Sequence, residues 1–145
     1  MIAAAGCGQI DKQELSYRNA YKSMWDRTVA AATGARKKAD AAYAAGDIDA
    51  VVAAYKKLAA AYTDGQKDLA KHKAPVAYKK LETQTIVYLN AGEVYYSKLS
   101  TLVETTGGNY GDAQAAELKA SERQLSAATA KVEAELKKMR FTLRK

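Results

Sequence analysis

From Asp11 onward the apolar residues return every three or four positions rather than in alternation. Tyr17, Tyr21, Met24, Thr28, Ala31 and Ala35 follow a 4-3-4-3-4 rhythm, which places them on one stripe of an α-helix. Trp25, Val29, Ala32 and Ala39 widen that stripe to the breadth of a core-facing helix. Ala45-Gly46-Asp47 ends the run: glycine takes the left-handed conformation that closes a helix, and the aspartate caps the next one. A first helix over 11–45 follows, and Gly34 inside it, which costs about 1 kcal/mol against alanine, is expected to be held by packing. A second helix covers 47–72, with Ile48, Val51, Val52, Tyr55, Leu58, Ala59, Tyr62 and Leu69 on one face. Pro75 punctuates, because the residue before a proline is driven out of the helical region. The third helix, 76–106, keeps strict alternation through Leu81, Thr85, Tyr88, Gly92, Tyr95, Leu99, Leu102 and Thr106. Thr106–Asp112 is a glycine-rich loop ending in a capping aspartate, and a fourth helix over 112–142 turns Leu118, Leu125, Ala128, Val132, Leu136 and Met139 inward.

Short connections between long helices force antiparallel neighbours. The pattern therefore predicts an all-α fold, an up-down-up-down bundle of four long antiparallel helices in one domain over 11–145, with 1–10 as a tether. The chain has ten tyrosines, one phenylalanine and one tryptophan. Glycine and alanine on the stripes let backbones approach, and tyrosines opposite them fill the gaps. The pairs Tyr17/Tyr21, Tyr55/Tyr62 and Tyr88/Tyr95 share helical spacing with Leu, Val and Ala and belong to the core, leaving Tyr96 and Tyr110 for the surface.

Charge changes the picture only at the ends. The formal charge is +7, which favours anionic partners. Antiparallel topology collects Lys67, Lys71, Lys73, Lys79, Lys80, Lys137, Lys138, Arg140, Arg144 and Lys145 at one pole, beside the start of the chain. Asp40, Asp47, Asp49, Glu104, Asp112 and Glu117 gather at the other. Cations suit helix C-termini and anions N-termini, but Lys79 and Lys80, near a helix start, run against that rule.

Little in the sequence carries catalysis. His72 is the only histidine, and Lys71 and Lys73 beside it repel a metal cation. No Glu-x-x-His pair offers a di-iron site, and no C-x-x-C-H motif offers haem attachment. Glu82, Glu93 and Glu104 fall too far apart or on separate faces for paired acid–base work. Gly107-Gly108-Asn109-Tyr110-Gly111 lacks the lysine and preceding strand of a phosphate loop. The expectation is a non-enzymatic protein without cofactor or metal. No apolar run approaches the ~20 residues that span a bilayer.

Ala4-Ala5-Gly6-Cys7 resembles the lipobox of bacterial lipoproteins, in which small residues precede a cysteine that becomes acylated. Alanine stands at Ala4 where that family usually has leucine. Only six residues precede Cys7, short of the ~7–15-residue apolar segment of an export signal, so the reading carries the expectation that Met1 is not the true start. With the helical pattern, the chain is similar to the small helical-bundle lipoproteins of bacteria that have no assigned chemistry. The resemblance implies lipid attachment at Cys7 and a place in the cell envelope; Gly8, rather than aspartate, after the cysteine implies the outer membrane where a cell has two. One acyl chain binds weakly, and a basic patch is a common second contribution. Lys71, Lys73, Lys79, Lys80, Lys137, Lys138, Arg140 and Arg144 are the candidate contacts to an anionic surface. The expected partners are a membrane surface, reached through a lipid anchor, and a further protein. The alternative is a cytoplasmic basic helical protein binding nucleic acid or another polyanion, against which stands the lack of an arginine-rich arm, helix-turn-helix spacing or zinc finger. A small-molecule substrate is not expected.

Overall fold

Four helices carry the chain in a computed structural model that describes residues 11–140. They are α1 (Lys12–Ala44), α2 (Ile48–Ala70), α3 (Lys79–Thr106) and α4 (Asp112–Lys138), with a 3-10 turn at Val76–Tyr78 leading into α3. Together they form an all-α bundle of the expected order. Cys7, Arg144 and Lys145 lie outside the described residues.

The helix ends follow local chemistry. Gly46 sits at φ 71° and turns the chain between α1 and α2. Asp47 Oδ1 accepts from the Ala50 N–H at 3.0 Å, satisfying one of the free donors of α2. Gly107, at φ 63°, closes α3 with its N–H donating to the Val103 carbonyl. The start of α4 differs from expectation. Asp112 is the first helical residue rather than the cap, and the Gln114 side chain reaches back instead, its Oε1 accepting from the Gly111 N–H at 3.1 Å.

Each helix packs its backbone against the next in sequence: α1 on α2, α2 on α3, α3 on α4. Among the described residues no Cα of α4 comes within 8 Å of α1 or α2, so the bundle is open along the α1–α4 side. Large side chains span the interior instead. Tyr21 Oη and Thr85 Oγ1 lie 2.7 Å apart, and Arg36 Nη2 donates to Tyr96 Oη at 2.9 Å, both joining α1 to α3. Tyr78, Tyr17, Tyr21, Trp25, Tyr88, Tyr62, Tyr96 and Tyr95 touch in series, with neighbouring ring centroids 4.8–6.3 Å apart. This aromatic spine, flanked by Met24, Leu58, Leu81, Leu89 and Val132, is the core. Aromatic pairs at such distances add to the gain from burial.

Three inward assignments shift. In α3 the buried residues after Gly92 are Tyr96, Ser100 and Val103, while Tyr95, Leu99 and Leu102 are half-buried. A straight helix repeats every 3.6 residues, so a strict 3.5-residue stripe drifts off the core over several turns. Tyr96, expected at the surface, is therefore core. In α1 the same drift exposes Ala31 and buries Ala32. In α4 the buried apolar residues are Ala128, Val132 and Leu136, whereas Leu118 and Leu125 are half-buried and the buried position of the N-terminal half is Ser121.

Gly34 also departs from expectation. A Cβ built there meets nothing within 4 Å, so no packing requires glycine. Gly34→Ala is expected to raise stability by about 0.5–1 kcal/mol through helix propensity alone. Urea unfolding followed by circular dichroism measures it, as a higher midpoint at unchanged slope.

Candidate functional site: the basic pole

The segment that leaves α2 determines this site. The α2 helix stops at Ala70, and Lys71, His72, Lys73 and Ala74 cross to Pro75, which starts the turn into α3. The crossing passes the first turns of α1. A depression of about 740 Å3 results, with Lys12, Lys71, His72, Lys73 and Lys79 around it and Tyr17 at its inner wall. Three of the expected contacts, Lys71, Lys73 and Lys79, thus come together.

Its floor is braced. Tyr78 packs on Tyr17 with ring centroids 5.5 Å apart and donates to Glu14 Oε1 at 2.7 Å. Tyr17 in turn donates to Glu82 Oε2 at 3.3 Å. These bonds tie α1 to the 3-10 turn and to α3. Burial, and then the hydrogen bond to Glu14, push the Tyr78 phenol up to about 12. Burial likewise raises Tyr17, with the Glu82 carboxylate adding to it. Both phenols are neutral donors at physiological pH.

The rim is cationic but not uniformly free. Lys71 Nζ lies 2.9 Å from Asp68 Oδ1, and Arg27 Nη2 lies 3.0 Å from Asp68 Oδ2. The hydrogen bond from Lys71, aided by Arg27, holds the Asp68 carboxyl below its ordinary value. Lys12, Lys73 and Lys79 form no ion pair among the described residues. Val76 stands among them and is 85% exposed, while Leu15 in the first turn of α1 is 48% exposed. Apolar side chains among ammonium groups suit an interface that is anionic outside and oily within.

The remaining expected contacts lie apart from the depression. Lys80 Nζ is 3.2 Å from Glu135 Oε2, a carboxylate 11% exposed, and so pins the end of α4 to the start of α3. Losing Lys80 would strand a buried charge, so its role is in the fold rather than in a free cationic face. Lys137 and Lys138 are exposed in the last turn of α4, where they complement the helix dipole, and Arg140 follows at φ 52°. Lys12 was missed in sequence. Its signal was the antiparallel order, which returns the loop after α2 to the start of α1.

Among the described residues no group of three or more His, Cys, Asp or Glu side chains is placed to hold a metal ion. No described helix is long and apolar enough to cross a membrane. No protein-family model, curated protein or solved structure matches the chain.

Proposed function

We propose that this protein is a non-enzymatic binding or structural module of the bacterial cell envelope, carried on a membrane by lipid at Cys7 and seated with its basic pole against anionic headgroups. The observation that carries the reading is the depression in which Lys12, Lys71, Lys73 and Lys79 surround an exposed Val76. Each lysine near an anionic leaflet contributes about 1 kcal/mol, and an apolar side chain pushed below the headgroups adds a term that salt does not screen. What supports joining the two is that α1, the first described helix after Cys7 in sequence, begins beside the depression.

Two measurements test the two halves of this reading. In a bacterial host, Cys7→Ser is expected to move the protein from the membrane to the soluble fraction; unchanged partitioning would exclude the lipid anchor. For the pole, the unacylated protein is floated with phosphatidylglycerol-containing and with purely zwitterionic vesicles. Binding is expected only to the anionic vesicles, and Lys73→Gln combined with Lys79→Gln is expected to weaken it about thirtyfold, from about 2 kcal/mol for two lysines. Equal binding by the variant would exclude the pole as the membrane face. Tighter binding to DNA than to vesicles, with a steep salt dependence, would replace the membrane by a polyanion.

A further inference from the structure

The open α1–α4 side of the bundle forms a second concavity, well away from the basic pole. It has a volume of about 530 Å3, within the roughly 300–1,000 Å3 of small-ligand sites. Arg36 stands on the α1 wall, and Tyr62, Tyr88, Tyr95 and Tyr96 form the floor. The α4 wall supplies Glu122, Ser126, Thr129 and Glu133.

The chemistry of this lining narrows the ligand. A guanidinium on one wall and two carboxylates on the other leave a net charge of −1, which disfavours a bare anion, while Arg36 opposes a bare cation. A purely apolar ligand would leave phenols, hydroxyls and carboxylates desolvated without partners. What remains is a neutral molecule carrying both hydrogen-bonding hydroxyls and an apolar C–H face. The Tyr95 ring is half-buried and meets Tyr96 edge-on at 4.8 Å, which fixes it while part of it stays open. The Tyr62, Tyr88 and Tyr96 rings are buried, at 4%, 8% and 7% exposure, so the floor is rigid before any ligand arrives. Arg36 is held in place by its bond to Tyr96 and keeps further N–H donors for the groove. Ser126 is exposed, and Thr129 spends its own proton on the Leu125 carbonyl at 2.8 Å, leaving its oxygen as an acceptor.

From these residues we infer that the groove between α1 and α4 binds a neutral saccharide, with a sugar ring laid on Tyr95 and its hydroxyls shared among Arg36, Ser126, Glu122 and Glu133. This site is independent of the membrane reading, and its test does not involve Cys7 or the lysines of the pole.

The experiment uses the whole chain and neutral hexasaccharides of β-1,4-glucose, β-1,4-N-acetylglucosamine and α-1,4-glucose, each beside its disaccharide. Trp25 is the reporter, because it stacks on Tyr88 at 5.3 Å and Tyr88 lines the groove. Saturable change in its fluorescence with at least one sugar is expected. Loss of the stacking ring in Tyr95→Ala is expected to weaken binding about tenfold. Because Tyr95 is half-buried, a second variant guards against misfolding: Ser126→Phe, which adds no tryptophan to the signal, plugs the groove from an exposed position of α4 and is expected to abolish binding at unchanged helicity. A hexasaccharide that binds more tightly than its disaccharide assigns the groove to a polymer, and equal binding assigns it to a free sugar. No saturable response to any of the six sugars, or binding unchanged by Ser126→Phe, would overturn the inference.

Discussion

Raised above pH 10, the protein is expected to lose its fold cooperatively between about pH 10.5 and 12, as the tyrosines of the spine compete to ionise. In the unfolded chain each phenol titrates near 10. In the fold, burial pushes Tyr95 up to about 12, and burial with the hydrogen bond to Glu14 does the same for Tyr78. Burial also holds Tyr17, Tyr21 and Tyr62 well above the ordinary phenol range. A group whose folded value is raised contributes stability that is complete below pH 10 and is lost as the pH climbs toward the folded value. The loss is about 1.4 kcal/mol per phenol for each pH unit in that window. Five such phenols remove about 7 kcal/mol by pH 11, comparable with the ~5–15 kcal/mol that stabilises a domain. Exposed phenols such as Tyr43 need no unfolding to ionise, but the rest of the tyrosinate absorbance should appear together with the loss of far-ultraviolet circular dichroism in one transition. Full tyrosinate absorbance reached at constant helicity would show that the spine ionises in place, and the burial argument would fail. Tyr95→Phe should move the transition to higher pH, since it removes one phenol raised by burial without removing a hydrogen bond that joins two helices.

That spine was only partly legible in sequence, and the reasons are physical. The helices were readable because Gly46, Pro75 and the Gly107–Gly111 loop interrupt a strong three-to-four rhythm, and the observed ends lie within a few residues of those predicted. Tyr96 was misplaced because neighbouring tyrosines at 95 and 96 can be told apart only by the helical phase, and a 3.5-residue repeat chooses the wrong one after four turns. The α1–α4 groove could not be read at all. A hydrophobic stripe says which face turns inward, but the distance between two helices depends on the side chains that a third and fourth helix place between them. The same limit applied to Lys80. Its place in the sequence makes it a surface cation, and its partner, Glu135, lies 55 positions further along the chain. The cluster of Lys71, Lys73 and Lys79 was readable because it depends on topology alone.

The close approach of α2 and α3 makes the second large effect. Gly92 is buried on α3, and a Cβ added there would overlap Cδ1 and Cε1 of Tyr62, whose ring lies against the glycine. Tyr62 has little room to retreat, since its other neighbours are the rings of Tyr88 at 5.7 Å and Tyr96 at 5.8 Å. Gly92→Ala gains about 1 kcal/mol of helix propensity but forces a packed aromatic cluster to move, and the net is expected to be a loss of about 1–3 kcal/mol. Gly92→Leu, with three more carbons in the same space, is expected to cost upward of about 3 kcal/mol and to separate α2 from α3. The sign should reverse when the obstacle is removed: in a Tyr62→Ala background, Gly92→Ala is expected to stabilise by up to about 1 kcal/mol. Chemical unfolding of the four proteins in that cycle gives the coupling directly. An alanine at 92 that is neutral in both backgrounds would mean that the Tyr62 ring does not rest on α3. Gly34→Ala, in a long helix but against open space, supplies the contrast. The same substitution is favourable where no side chain opposes it and unfavourable where a tyrosine has been fitted to the gap, which is how a bundle with almost no phenylalanine packs its core.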